Sequence, residues 1–476
     1  MAAMSIIHHW NPEDRGSWDR AGHAVAVRNL WLSIPALTLA FAVWMVWSVV
    51  VVHLPAAGFS YSTNQLFWLT ALPALCGATL RIFYAFAVPL IGGRRFTALA
   101  TASLLLPALG IGFAVQDPGT PYEWMVALAL LCGLGGGNFA SSMANISFFF
   151  PHAQKRHARG LHAGLGQLGV ALVQLVVPLV ISVGVFGVLG GAPLPGAHSP
   201  VWLQNAGFIW VPLIAASAAA AWFGMDDLAD AKAGFAEQAV IFTRKHNWLL
   251  CWLYLGTFGS FIGFSASFPL LLQSQFQSDG LVAWAWLGPL VGAVLRPLGG
   301  WWADRWGGGR VTFWSFVALA LGAAAVLLCL PPAGAAGQGG YLTAGQGGYL
   351  PAGQGGYLPG FLAGFALLFA ASGLGNGSTF QMIPRVFLME RRRAAERLPS
   401  AQRQACEEGN VEAAAVLGLA SAIGAYGGFF IPKSYGTAIA MTGSPAPALL
   451  VFILFYLSCI VLTWWHYSRR NALCHC

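Results

Sequence analysis

Twelve apolar segments, each of about 20 or more residues, constrain the fold of this chain more than any other feature. A helix of that length crosses the hydrocarbon core of a bilayer. Of the 476 residues, 57% are hydrophobic and only 8% are charged, whereas about one-quarter of the residues in a water-soluble protein are charged. The sequence therefore predicts an all-α membrane protein with twelve transmembrane helices. The segments lie near residues 30–54, 65–91, 95–116, 122–150, 159–188, 202–224, 248–273, 280–303, 311–331, 360–388, 412–439 and 446–468.

The positive charges follow the even-numbered segments. Lysines and arginines cluster at both termini and in the loops after these segments, whereas Lys433 is the only one assigned to the loops after odd-numbered segments. This distribution obeys the positive-inside rule and predicts that both termini lie in the cytoplasm. The net charge of +8 therefore reflects membrane orientation, and no nucleic-acid partner is expected. Residues 1–29 are polar and mixed in charge, unlike a cleavable signal, so the first segment is expected to stay in the membrane.

Two pairs of motifs indicate that the chain consists of two related halves. Arg81 and Arg296 each follow a leucine inside an apolar segment, and they are 215 residues apart. The sequences Gly133-Leu-Gly-Gly-Gly-Asn138 and Gly373-Leu-Gly-Asn-Gly-Ser378 are 240 residues apart, so an insertion of about 25 residues separates the pairs. The insertion is visible as the repeat Gly-Gln-Gly-Gly-Tyr-Leu, which begins at positions 337, 345 and 353. Such a tract predicts a flexible loop on the non-cytoplasmic side.

Two six-helix halves that share a site near the bilayer midplane are typical of alternating-access transporters. The predicted organisation is a cytoplasmic segment 1–29, a first half 30–224, a cytoplasmic linker 225–247, a second half 248–468 with the insertion at 331–359, and a cytoplasmic tail 469–476. We expect a monomer in the lipid bilayer of a bacterial inner membrane. No nucleophile–base pair or metal-ligand cluster is present in the sequence, so we expect neither an enzyme nor a cofactor.

Arg81 and Arg296 carry the strongest functional signal. An arginine inside a membrane costs from about 3 to more than 10 kcal/mol unless it is paired or faces water. Acidic residues occur only at segment ends, as at Glu123, Asp304 and Glu412. Arg81 is expected near the middle of its span, and Asp304, two turns from Arg296, is expected to neutralise Arg296 in part. Because a guanidinium matches a planar oxyanion through two parallel hydrogen bonds, the sequence predicts a binding site for a small anion.

Polar residues in the neighbouring segments extend this candidate site. Asn138 shares a helix face with Ser142, and Gln167 shares a face with Gln174. The glycines around them, Gly164 included, are expected to let two helices approach closely. In segment seven, Tyr254 and Phe258 are one turn apart, so a phenolic donor and a flat ring lie on one face.

Longer motifs resemble a known family. The stretch Gly300-Trp-Trp-Ala-Asp-Arg-Trp-Gly-Gly-Gly-Arg310 resembles the loop between helices eight and nine of the major facilitator superfamily, where an acid and arginines latch the cytoplasmic helix ends. The related Gly92-Gly-Arg-Arg95 lacks the acid. Residues 135–151 and 373–380 resemble the nitrate-signature motifs of the nitrate/nitrite porter family, and residues 414–433 resemble its eleventh helix.

This resemblance implies the major facilitator fold and a site for nitrate or nitrite. It implies that Arg81 and Arg296 clamp the anion, that Phe139 and Phe258 sandwich its flat face, and that Tyr254 helps to hold it. Members of the family commonly have Asn where this chain has Gln167. The other expected substrate-binding residues are Gln167, Asn138, Gly164, Asn376 and Ser421.

The distribution of charge favours nitrate/nitrite antiport. A proton symporter usually needs a titratable group near its site, and the nearest histidines, His53 and His162, are expected at the membrane interfaces. Two uncompensated arginines would resist the conformational transition unless an anion is bound. Nitrate/proton symport, transport of another small monovalent anion such as cyanate or a carboxylate, and signalling through the charged loop 389–408 remain alternatives. That loop reads more simply as a solvated connecting helix.

Overall fold

Twelve long apolar helices form the described part of the protein. The computed structural model describes residues 6–84, 87–196, 199–229, 240–277, 279–332, 356–394 and 401–469. In chain order the helices that are long and apolar enough to cross a membrane are α1 Arg15–His53, α2 Thr63–Tyr84, α3 Gly93–Ala114, α4 Tyr122–Phe149, α5 Ala153–Ile181, α6 Asn205–Gly224, α7 Lys245–Phe276, α8 Gly280–Trp306, α9 Gly308–Leu328, α10 Leu358–Arg392, α11 Ala415–Thr442 and α12 Ala446–Ser468. The predicted fold class is confirmed. A helix satisfies every backbone polar group internally, which is what lipid requires.

The chain divides into two compact units. The first comprises Met1–Ser60 and Leu72–Ala239, and the second comprises Tyr61–Ala71 and Val240–Cys476. The division falls inside α2, so the first turns of this helix group with α7–α12 and the remainder groups with α1 and α3–α6. The domain limits expected from the sequence placed all of α2 in the first half.

The first unit has an ordered cap built from the segment before α1. Strand β1, Ile6–Ile7, pairs in parallel with strand β2, Asp227–Leu228, which follows α6. The indole of Trp10 donates a hydrogen bond of 3.0 Å to the carbonyl oxygen of Phe148 in α4. Trp18 is buried in an apolar cluster with residues of α1, α4 and α5. The polar N-terminal stretch is therefore tied to the end of the bundle that the charge pattern assigns to the cytoplasm.

The arginine-rich loop before α3 obtains its acid from the strand after α6. Asp227 accepts a 2.8 Å hydrogen bond from the backbone N–H of Arg94, and its carboxylate lies 3.2 Å from Nε of that arginine and 3.7 Å from Nε of Arg95. Gly92 adopts φ +98°, which only glycine tolerates readily, and a Cβ there would collide with the Asp227 carboxylate. The acid missing from Gly92-Gly-Arg-Arg95 is thus supplied from about 130 residues downstream.

In the second unit, acids pair with arginines at the corresponding end of the bundle. Asp304 at the end of α8 lies 2.5 Å from Nη2 of Arg385 in α10. Glu412, just before α11, accepts hydrogen bonds from Nη2 of Arg391 at 2.6 Å and Nη2 of Arg244 at 3.0 Å. Burial alone would raise the pKa of Glu412, but the hydrogen bonds from Arg391 and Arg244 hold this pKa below its usual value.

Two sequence expectations concern the segment between α9 and α11. The repeat insertion lies almost entirely at positions 333–355, outside the described residues. Of the charged stretch 389–408, the described residues are helical, as part of helices Leu358–Ala394 and Ala401–Ala425.

Candidate functional site

Arg81 is buried in the first unit between backbone and aromatic rings. Its side chain is fully inaccessible, and Nε donates a 2.8 Å hydrogen bond to the carbonyl oxygen of Gly136 in α4. The guanidinium carbon lies 5.1 Å from the ring centroid of Trp44 and 4.9 Å from that of Phe139. Stacking of this kind favours a desolvated guanidinium by about 2 kcal/mol or more per ring. The cation is therefore oriented before any ligand arrives.

Glycines allow this arrangement, because they let α2 and α1 come close to α4. A Cβ on Gly136 would lie 2.6–2.7 Å from the indole of Trp44 and 2.9 Å from Cα of Gly77. The Trp44 indole N–H donates a 2.8 Å hydrogen bond to the Pro73 carbonyl oxygen of α2, which fixes the plane of the ring beside Arg81. The expectation that the α4 glycines serve helix packing is met at Gly136, and the same close approach exposes the carbonyl oxygen that Arg81 binds.

The expected position of Arg81 along its span stays a prediction. The structure describes α2 as far as Tyr84 and describes helix again at Ala87–Ile91. Residues 85 and 86 lie outside the described residues, so these helix limits do not test whether Arg81 lies near the middle of a span at 65–91.

Arg296 lies in the middle of α8 and has fewer contacts than Arg81. Its side chain is 5% exposed, and the guanidinium carbon lies 5.2 Å from the ring centroid of Phe380 in α10. Neither Nη1 nor Nη2 has a hydrogen-bond partner among the described residues. The expectation that Asp304 partly neutralises Arg296 is wrong, because Asp304 forms its ion pair with Arg385 instead.

Close packing of α8 and α10 brings Asn376 to the same region. A Cβ on Gly377 would overlap the carbonyl oxygen of Arg296, and one on Gly299 would overlap the carbonyl oxygen of Leu374. Asn376, adjacent to Gly377, is 1% exposed, and both polar atoms of its amide lack a hydrogen-bond partner in the described part of the chain. A buried amide that bonds nothing is costly, so it marks a place where a polar ligand or water can bind.

Tyr254 and Phe258 lie together at a break in the regular geometry of α7. Their ring centroids are 5.4 Å apart with an interplanar angle of 30°. Leu255–Gly259, which includes Phe258, forms a π-helical turn, a feature that often occurs at functional sites. A Cβ on Gly424 of α11 would lie 2.8 Å from the ring of Tyr254 and 3.1 Å from that of Phe258, so α11 packs directly on both rings.

The expected residues of α4 and α5 occupy different surroundings. Gln167 is 1% exposed, and both polar atoms of its amide lack a hydrogen-bond partner in the described residues. Asn138 lines a cavity of about 10 Å³ together with Thr97, Thr101 and other residues of α1, α3 and α4; Arg81 is not part of that lining. The cavity has room for about one water molecule.

Three further expectations meet different outcomes. Gly164 does not mediate close helix packing, because a Cβ there would meet open space. Its neighbours Gly166 and Gly169 do have tight contacts, with the side chain of Leu37 and the carbonyl oxygen of Thr38. His162 is completely buried within the protein, with Nδ1 3.5 Å from the Ser33 hydroxyl; its expected depth at a membrane interface stays a prediction. Ser421 is buried and donates a 2.8 Å hydrogen bond to the carbonyl oxygen of Gly418 in its own helix.

Trp44 and Phe380 are the ring partners that sequence reasoning missed. Phe380 stands at the end of the glycine motif of segment ten, so its position relative to Gly377 was a usable signal. Trp44 gave none, because it is one of 20 tryptophans and lies in a segment without a glycine motif or a charged residue. In the described residues, no group of three or more His, Cys, Asp or Glu side chains could hold a metal ion.

Comparisons with known proteins show the family and the fold of the chain. Residues 32–385 match the model of the Major Facilitator Superfamily. The chain is 47% identical to the nitrate/nitrite transporter NarU of Salmonella typhimurium, over 98% of this chain and 97% of that protein. It is 39% identical to the probable nitrate/nitrite antiporter NarK2 of Thermus thermophilus, again over 98% and 97%. A solved structure of a D-xylose-proton symporter covers 92% of this chain and 97% of its own, with a TM-score of 0.59 and 14% identity, which shows a shared fold alone.

Proposed function

Because the chain belongs to the nitrate/nitrite porter family of the major facilitator superfamily, we propose that it exchanges nitrate for nitrite across the bacterial inner membrane. The observation that carries the proposal is the buried guanidinium of Arg296, whose two Nη groups have no hydrogen-bond partner among the described residues. Buried donors on a charged group cost several kcal/mol when they bond nothing. A planar monovalent oxyanion supplies both the acceptors and the missing charge.

In this proposal Arg81 supplies the second positive charge that binds the anion. With Nε bonded to the Gly136 carbonyl and two rings against its plane, it offers a fixed orientation to the anion. The unbonded amides of Gln167 and Asn376 supply donors to further oxygens, and the hydroxyl of Tyr254 does the same. The rings of Phe139 and Phe258 suit the flat face of the anion. Phosphate, which is tetrahedral and more highly charged, fits these groups less well.

Antiport follows from the same charges. In the membrane-spanning helices the acidic residues of the described chain lie only near helix ends: Asp19, Glu123, Asp304 and Glu390. An empty site then contains two positively charged guanidinium groups, which disfavours its desolvation during the inward–outward transition. A bound monovalent anion compensates one of these charges and accepts hydrogen bonds from the guanidinium groups, so the loaded transporter changes conformation more readily than the empty one. Exchange of one anion for another is the consequence.

Counterflow in proteoliposomes tests the exchange. Purified protein is reconstituted into liposomes loaded with nitrite, and uptake of labelled nitrate is compared with uptake into liposomes loaded with a bulky organic anion. We expect rapid uptake only with internal nitrite, and a matching loss of nitrite one for one.

A pH gradient across otherwise identical liposomes distinguishes the nearest alternative. If nitrate enters liposomes that contain no exchangeable anion when the outside is acidified, the protein is a proton symporter and the antiport proposal fails. If internal cyanate or a small carboxylate replaces nitrite with equal efficiency, the site recognises small anions in general.

A further inference from the structure

Lys433 is a cation that the arginine site does not account for. It was the one exception to the charge pattern of the loops, and it lies in α11, nine residues before the end at Thr442. At 1.5 Å per residue this places it about 14 Å from the helix end that the topology assigns to the non-cytoplasmic side. Positive charge is usually kept away from that side. The presence of Lys433 inside this helix therefore suggests a functional role for its charge.

No acid neutralises Lys433 in the described part of the chain. It takes part in none of the ion pairs found there, and neither α2 nor α11 contains an aspartate or glutamate. Instead, Nζ lies 4.3 Å from the ring centroid of Trp68, which belongs to the first turns of α2 and to the same compact unit. A ring face lowers the cost of the cation by about 0.5–2 kcal/mol without cancelling its charge.

An amide and a second ring complete the surroundings of this lysine. Phe429, one turn before Lys433, has its ring centroid 5.9 Å from that of Trp68. Asn64, one turn before Trp68, lies beside Gly436, where a Cβ would be 3.0 Å from its side-chain oxygen. That oxygen is buried without a hydrogen-bond partner in the described residues. Rotation of the amide about its last bond presents its NH₂ group in place of the oxygen.

We propose that Lys433, Trp68 and Asn64 form a second, outer binding site for a small monovalent oxyanion, which receives nitrate from the non-cytoplasmic side before it reaches the arginines. This inference rests on the proposed exchange function and on the proposed topology. A charged group near an entrance raises the local concentration of its counter-ion and speeds its capture. The lysine ammonium is a strongly hydrated point charge, which suits transient binding of the anion. The planar guanidinium of arginine binds an oxyanion in a fixed orientation.

The experiment compares the two faces of the membrane. Nitrate/nitrite exchange is measured in right-side-out and in inside-out membrane vesicles for the wild type, Lys433→Met, Lys433→Arg and Trp68→Leu, with rates normalised to folded protein from gel filtration. We expect Lys433→Met to raise the KM for nitrate by about 5-fold at the outer face, with no change at the cytoplasmic face. Lys433→Arg restores the KM.

Ionic strength separates charge from packing. Added potassium gluconate, whose anion is bulky, screens attraction by the ammonium. The outer-face KM of the wild type is expected to rise with salt, and that of Lys433→Met to depend on salt much less. Trp68→Leu removes the stack and keeps the charge, so it retains the salt dependence.

The outcomes exclude one another. An unchanged outer-face KM in Lys433→Met, an equal change at both faces, or a change at the cytoplasmic face alone overturns the outer site while leaving exchange by the wild type intact. If the wild type shows no nitrite-dependent nitrate exchange, the proposed function itself fails.

Discussion

Arg81 and Arg296 occupy matching positions in the two halves of the sequence, yet their surroundings differ. Arg81 donates from Nε to a backbone carbonyl and lies against two rings, whereas Arg296 contacts one ring, and its Nη groups bond nothing in the described residues. The first arginine is held by the protein. We propose that the second binds a ligand through its Nη groups. In this proposal the two duplicated arginines have different roles: Arg81 supplies a positive charge in a fixed orientation, and Arg296 forms hydrogen bonds to the anion.

Conservative replacement of the two arginines is the strongest test of this difference. Lysine keeps the charge but cannot make two parallel hydrogen bonds to an oxyanion. We expect Arg296→Lys to lower nitrate kcat/KM by about 100-fold and Arg81→Lys by about 10-fold, since a hydrogen bond to a charged group contributes about 1.5–3 kcal/mol. Counterflow rates per folded transporter provide the measurement. A larger loss in Arg81→Lys would reverse the assignment of roles.

Filling the space of one glycine tests whether Arg81 depends on close helix packing. In Gly136→Ala the new methyl group would press on the Trp44 indole and on Gly77, so both α4 and the guanidinium must shift. We expect transport about 10-fold lower and stability reduced by about 1–3 kcal/mol, the usual cost of overpacking. Gly160→Ala in α5 is the matched control, because nothing lies within 4 Å of the added methyl group. Equal losses in both variants would show that the packing beside Arg81 is unimportant.

The aromatic partners give a smaller effect. In the described residues Arg81 lies against the rings of both Trp44 and Phe139, whereas Arg296 lies against that of Phe380, so losing a ring should matter more in the second half. We expect Phe380→Leu to raise the Kd for nitrate about 5-fold and Trp44→Phe, which keeps an aromatic face, about 2-fold. Equilibrium nitrate binding to the purified protein measures both. If Trp44→Phe proves the more damaging, the hydrogen bond from its indole to the Pro73 carbonyl matters more than the ring.

The sequence was sufficient for the fold and for the principal cations. Apolar segments of membrane length and the charges of the loops reflect the solvation of individual residues. Twelve spans and two arginines inside apolar segments could therefore be predicted without a structure. The polar character of Asn376 and Gln167 and the nearness of Tyr254 to Phe258 also followed from spacing.

Contacts between helices distant in sequence were not predictable. Trp44 meets Arg81 because of where α1 crosses α2 and α4, and Asp227 meets Arg94 across more than 130 residues. Such pairings depend on how whole helices pack, and the spacing of residues along one helix contains no information about that packing. The same limit explains the wrong expectation for Asp304: proximity along α8 suggested Arg296, but Arg385 of α10 lies closer in space.

The smallest expected effect concerns the ion-pair cluster of Glu412, Arg391 and Arg244 in the second unit. The folded pKa of Glu412 is below its unfolded value, because the hydrogen bonds from Arg391 and Arg244 outweigh the effect of burial. The carboxylate therefore adds stability at pH values above its unfolded pKa, and this contribution disappears as pH falls through the folded pKa. We expect Glu412→Gln to lower the Tm at neutral pH by about 1–2 °C, as for a partly solvated ion pair.

The pH dependence of that difference decides whether the charge is responsible. Thermal unfolding of the wild type and Glu412→Gln is followed in detergent from neutral to acidic pH, where the two curves should converge as the wild-type carboxylate becomes protonated. Glu123→Gln, which alters an exposed carboxylate in the first turn of α4, should match the wild type throughout. A Tm difference that stays constant down to acidic pH would mean that the glutamate stabilises the protein by packing, and the two arginines around it would then be expected to tolerate neutral replacements.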